Sequence, residues 1–88
     1  MNDPTPAHPT VAPEEARRAV LDAIRRIVPD ADFDGVDDTT RLRTEFELDS
    51  LDFLSFVELL VEATGRPIGE GDYDSLQTLG SAVDFLAT

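Results

Sequence analysis

Ser50 is the side chain in this sequence most open to covalent chemistry, and its neighbours decide what kind. It sits in the run Glu47-Leu48-Asp49-Ser50-Leu51-Asp52. A hydrolytic serine needs a partner base and an oxyanion hole. The single histidine, His8, lies near the N-terminus, and no G-x-S-x-G elbow surrounds Ser50. Carboxylates at Asp49 and Asp52 would repel a developing oxyanion. The chain has no cysteine, so it has no thiol nucleophile, no thiolate zinc site and no disulfide framework. The residues name no catalytic group. Taken alone, Ser50 reads as a residue that starts a helix.

A second candidate is Asp30-Ala31-Asp32-Phe33-Asp34-Gly35. It opens like a calcium-binding loop, with the glycine that the sharp turn needs. The match then fails. The twelfth position, which should supply a bidentate glutamate, is Arg41, and Asp37 stands where such loops carry an apolar residue. The expectation is a solvated acidic loop and no specific metal site.

The elements that must position Ser50 follow from periodicity. Residues 1–12 hold Pro4, Pro6 and Pro9 among small and polar residues, and read as a mobile tail ahead of a domain over 13–88. Pro13 suits a first helical turn. Ala16, Val20, Ile24 and Ile27 then recur on one helical face. Glu14 and Glu15 suit the positive end of the dipole, Arg25 and Arg26 the negative end. Pro29 ends a helix expected over 13–28. Residues 29–49 show no period and read as a long loop with one helical turn near Thr40–Thr44, pinned by Phe33, Val36, Leu42, Phe46 and Leu48.

A second helix is expected over 50–64, with Asp49 as N-cap, Asp52 completing a capping-box-like pair, and Gly65 as the stop. Asp52, Ser55, Glu58 and Glu62 fall on one narrow stripe. Phe53, Leu54, Phe56, Val57, Leu60 and Val61 cover the rest, so this helix reads as the central one, packed on several sides. Leu51 is an apolar residue inside the polar stripe, either a stray exposed leucine or a partner contact. A short helical turn near 71–75 follows, then a last helix capped by Thr78, with Leu79, Val83 and Leu86 on one face. The fold class expected is all-α: a small four-helix bundle of three main helices and a short third one.

Composition narrows the partners. The 88 residues carry 7 basic and 19 acidic side chains, a net charge of −12, and are 41% hydrophobic. That suffices for one small core. Residues 29–88 hold fifteen acids against three bases, so the whole excess lies there. Such a chain repels phosphate, which argues against nucleic acid and anionic membranes, and favours partners with basic surfaces. No apolar run reaches the ~18 residues of a membrane span, and MNDPTPAHP lacks the basic and apolar regions of a signal peptide. A monomer in the cytoplasm is the expected state.

The window Glu47-Leu48-Asp49-Ser50-Leu51-Asp52, running into Phe56-Val57-Glu58-Leu59, resembles the D-S-L site of acyl carrier proteins. The resemblance spans roughly residues 14–87. It takes in the long loop before the serine, the stretch from Gly65 to Ile68 and the closing Leu79-Gly80-Ser81-Ala82-Val83-Asp84-Phe85-Leu86. It implies a four-helix carrier that is not an enzyme, with 4′-phosphopantetheine covalently attached to Ser50. The implied partners are a phosphopantetheinyl transferase and enzymes that load and process acyl groups in fatty-acid, polyketide or related biosynthesis. Two positions depart from the family. Where members often read L-G-x-D-S-L, this chain has Phe46-Glu47-Leu48-Asp49-Ser50-Leu51, and Glu58 stands where many fatty-acid carriers place an apolar residue. The L-G-G-[HD]-S-L form frequent in peptidyl carriers is absent.

The chemistry fits this reading independently. A chain without cysteine or usable histidine can present a borrowed thiol on a long arm, anchored to a hydroxyl on a rigid helix start. Asp49, Asp52, Glu58 and Glu62 form an anionic patch beside Ser50, with Leu51 as an apolar contact within it. Such patches set encounter rate and orientation. The alternatives are an aminoacyl or peptidyl carrier, an acidic helical adaptor without a prosthetic group, and a calcium-binding helical protein.

Overall fold

The computed structural model describes residues 11–87. Its elements run α1 (Pro13–Ile27), α2 (Leu42–Glu45), α3 (Ser50–Thr64), a 3-10 helix (Glu70–Leu76) and α4 (Leu79–Ala87). The expected all-α architecture holds, with three main helices and the short third one, which is 3-10 in type. The turn expected near Thr40–Thr44 becomes α2, two residues further on. Most of the expected tail lies outside the described residues. Val11, however, packs half-buried against the core, and Ala12 is the N-cap of α1.

Helix α1 starts where proline costs no hydrogen bond and where Glu15 Oε1 accepts the Ala12 N–H at 3.3 Å. It ends one residue before the expected limit, with the Val28 N–H donating to Ile24 O at 2.7 Å. Its buried stripe is Ala16, Val20, Ala23 and Ile24.

Helix α3, expected to pack on several sides, meets the 3-10 helix through Phe53 and Tyr73 at 5.2 Å and α2 through Arg43 over the Phe53 ring. Helix α1 packs against both α3 and α4, while the 3-10 helix packs against α4. Helix α3 buries Phe53, Phe56, Val57, Leu60 and Thr64. Leu54, expected in the packed surface, is 46% exposed. Phe56, Ile24, Leu42, Leu60, Leu76, Leu79 and Leu86 are the large side chains fully removed from water, each worth about 1.5–3 kcal/mol of transfer free energy.

The long loop is stitched down at both ends. Phe33 meets Phe46 edge to face at 5.6 Å, under the Arg25 guanidinium at 4.7 Å. Leu42, Phe46 and Leu48 are buried, Phe33 and Val36 half-buried, as expected of pinning residues. Asp37 organises the next turn by accepting from the Thr39 hydroxyl at 2.6 Å and the Thr39 N–H at 2.9 Å. The Thr39 hydroxyl bond, more than any other contact, holds its carboxyl below the usual aspartate range. Residues 38–42 then run against the start of α4: Leu42 N donates to Gln77 O, Leu79 N to Thr40 O and Gly80 N to Asp38 O, at 2.9, 3.0 and 2.9 Å. Arg17 closes the same loop onto α1 through Asp38 at 3.1 Å. Among the described residues no helix is long and apolar enough to cross a membrane.

Candidate functional site

The start of α3 is set by the turn before it. The Leu48 N–H donates back to Arg43 O at 2.9 Å, and Glu47 adopts a left-handed φ of 54°. That bond and that conformation are the way a helix commonly ends, with glycine the usual left-handed residue. Here Glu47 fills the role, at the very position where the acyl carrier pattern has glycine. The turn reverses the chain and buries Leu48.

Asp49 follows in an extended conformation, φ −81° and ψ −173°. Its carboxylate accepts the Asp52 N–H at 2.8 Å, and Asp52 accepts the Asp49 N–H at 3.4 Å. The expected capping pair is present, and it satisfies backbone donors that the helix cannot. Ser50 is exposed at the first position of α3, and among the described residues its Oγ takes part in no hydrogen bond. No base lies on it there.

The other expected recognition residues share this surface. Leu51 is 75% exposed, which settles its place in the polar stripe. Asp49, Glu58 and Glu62 are exposed and Asp52 is half-buried. Leu51, Ser55, Glu58 and Glu62 follow helical spacing along one outward face of α3. Leu54, one turn on from Ser50, adds a second exposed apolar side chain beside them.

Ser50 also borders an open cleft of about 460 Å³ between α2, α3 and the 3-10 helix. Phe53 and Tyr73 line it, meeting edge to face at 5.2 Å. Leu54, Arg41, Arg43, Thr44, Asp74 and Gln77 complete it. Arg43 is held in place: its Nε donates to Leu48 O at 3.4 Å and its guanidinium lies 5.1 Å from the Phe53 ring centre. Sequence reasoning missed Leu54, Arg41 and Arg43. The only local signal was the substitution of glycine by Glu47, which marks the turn that carries Arg43 toward Phe53.

The acidic loop forms no comparable site. Asp32 Oδ1 accepts the Asp34 N–H at 2.9 Å, a turn contact. Among the described residues no group of three or more His, Asp or Glu side chains could hold a metal ion. His8 lies outside the described residues.

An unengaged hydroxyl on a rigid, capped helix start, next to a cleft, can anchor a long substituent without disturbing the core. These residues fit a phosphopantetheine arm. The model of the family described as the phosphopantetheine attachment site matches residues 18–86. Among curated proteins none matches the chain. Domains of that family bear 4′-phosphopantetheine covalently on a serine, act as carriers and not as catalysts, and work with phosphopantetheinyl transferases and biosynthetic enzymes. With more than half its length matched, and a helical fold that presents a serine in this way, the chain belongs to the phosphopantetheine-dependent carrier proteins.

Proposed function

We propose that Ser50 is the attachment serine and that the chain is an acyl carrier protein of fatty-acid, polyketide or related specialised biosynthesis. The observation that carries the reading is the contrast among the four serines. Ser81 is half-buried and its Oγ is engaged with Thr78. Ser75 is half-buried in the 3-10 helix. Ser55 is exposed but lies about one and a half turns inside α3. Ser50 alone combines exposure, a capped helix start and a cleft.

When bound, the arm supplies a terminal thiol that carries cargo as a thioester, electrophilic at its carbonyl and acidic at its α-carbon. The chain's own residues hold and present it. Asp49 and Asp52 keep the helix start rigid through their mutual cap. Glu58 and Glu62, with Leu51 and Leu54 beside them, offer partner enzymes an acidic face with an apolar centre. Basic docking surfaces suit that face, and the contacts are of the weak, fast-exchanging kind a shuttle needs. The acyl assignment, over aminoacyl or peptidyl cargo, is supported by Asp49-Ser50-Leu51-Asp52 following Phe46-Glu47-Leu48 in place of a paired-glycine motif.

Incubation with coenzyme A and a permissive transferase tests the attachment, read by intact mass. One arm per chain, absent from Ser50→Ala, is expected. Equal gain in Ser50→Ala overturns it. Transfer of simple acyl groups onto the loaded thiol by an acyl-loading enzyme, without transfer of amino acids by an adenylating enzyme, tests the cargo class. The reverse preference overturns it.

A further inference from the structure

We propose that Arg25, on α1, and Phe33, on the long loop after it, are positioning residues for Ser50. They hold Phe46, and through Phe46 the turn that aims the serine. This rests on Ser50 being the attachment point.

The turn has few anchors. Between Phe46 and Ser50 the side chains of Glu47 and Asp49 are exposed, as is Ser50, while Phe46 and Leu48 are buried. Between those two anchors Glu47 holds its left-handed φ of 54°, which an ordinary side chain adopts at a cost. The Leu48 N–H closes the turn on Arg43 O at 2.9 Å. A backbone held in such a conformation persists only where its surroundings over-determine it.

Phe33 is part of those surroundings. Its ring meets Phe46 edge to face at 5.6 Å and 84°, and the Arg25 guanidinium lies 4.7 Å from the centre of the Phe33 ring. Three side chains from three segments therefore stack outward: Phe46 buried, Phe33 half-buried, Arg25 exposed. Edge-to-face and cation–π contacts are directional, so they fix where Phe46 sits as well as covering it.

Charge works against this contact. A shallow concavity of about 320 Å³ beside Phe46 is lined by Asp30 and Asp32 from the loop and by Glu45 and Glu47 from the turn. Like charges across it repel, and that repulsion pushes the loop off the turn. The Arg25–Phe33–Phe46 stack opposes the push.

The consequence falls on loading. Leu51, Glu58 and Glu62, the proposed docking residues, all lie within α3, whereas Ser50 is its first residue and follows the turn directly. A displaced turn moves Ser50 relative to a transferase still docked on α3. Misplacing a reacting group by about 1 Å costs on the order of 100-fold in rate, with docking itself unchanged. The stack therefore acts on kcat and leaves KM alone.

The test compares wild type, Arg25→Gln, Phe33→Ala and Phe33→Tyr with a core control on α4, Val83→Ala, each at a temperature where circular dichroism shows it folded. Each is the varied substrate of a permissive transferase supplied with coenzyme A. In Phe33→Ala kcat should fall about tenfold or more, and by less in Arg25→Gln, with KM near wild type in both. Phe33→Tyr keeps the ring and should restore kcat, and Val83→Ala should load like wild type. Hydrogen exchange read by NMR should quicken in Phe33→Ala, but not in Val83→Ala, at the Leu48 and Asp52 amides, whose acceptors are Arg43 O and Asp49 Oδ1. Unchanged kcat and exchange in Phe33→Ala and Arg25→Gln, or an equal loss in Val83→Ala, overturns the positioning role alone. A raised KM with unchanged kcat in Arg25→Gln would make Arg25 a docking contact and also overturns it. A wild-type chain that cannot be loaded at Ser50 overturns the attachment and the positioning role together.

Discussion

Asp49 and Asp52 clasp each other across Ser50 and Leu51: the Asp49 carboxylate takes the Asp52 N–H at 2.8 Å, and the Asp52 carboxylate takes the Asp49 N–H at 3.4 Å. The two acids that flank Ser50 therefore hold the helix start as well as contributing charge. The two roles can be separated, because serine caps a helix without carrying charge.

Asp49→Ala should cost about 1 kcal/mol of stability, or about 4–8 °C in melting temperature for a domain of this size. Asp49→Ser should melt close to wild type. Both should load more slowly than wild type if the charge helps partners approach. Thermal melts and loading time courses check this. Equal destabilisation by alanine and serine would contradict the cap.

Glu47 holds a left-handed conformation, φ 54°, that ordinary side chains occupy only at a cost. Glu47→Gly should raise stability by about 0.5–1 kcal/mol, the relief exceeding the added chain entropy of glycine. Glu47→Val should lower it, since β-branching fits this region worst. Urea denaturation midpoints measure both. A destabilised glycine variant would show that the Glu47 side chain contributes more than its backbone strain costs.

At the far end of the same loop, a Cβ on Gly80 would sit 2.8 Å from Asp38 Cβ and 3.0 Å from Asp38 O. Gly80→Ala must push residues 38–42 away from α4. The expected cost is about 1–3 kcal/mol, with faster hydrogen exchange at the Leu79 and Gly80 amides, whose acceptors are Thr40 O and Asp38 O. Wild-type exchange at those two amides would show that the loop is not held there.

Legibility followed the range of the interactions. The start of α3 at Ser50 was readable because its cap lies within three residues, Asp49 to Asp52. The stripe Ala16, Val20 and Ile24 was readable because α1 is apolar on one side only. Helix α3 is apolar nearly all round, so its sequence could not say which side meets the core. Leu54 was expected inside and lies half outside, because packing against α1 chose the side. The contacts of residues 38–42 with 77–80 join segments far apart in sequence, and no local pattern encodes them. Arg43 reaches Phe53 only because the Glu47 turn folds α2 back on α3.

The acidic excess predicts how the fold responds to salt. The Arg17–Asp38 ion pair is solvent-exposed, so its contribution is small. Repulsion among the acids after residue 28 should outweigh it. The melting temperature should rise across a sodium chloride series as screening weakens that repulsion. A flat or falling series would mean that local pairs dominate.

The central claim is that one serine of four, Ser50, bears the arm. Tandem mass spectrometry of the protein loaded with coenzyme A and transferase tests it most directly, because the fragments assign the added mass to a residue. The account predicts the whole gain on Ser50, with Ser55, Ser75 and Ser81 unmodified and Ser50→Ala unloaded. The arm found on any other serine, or on Ser50→Ala protein, would contradict it.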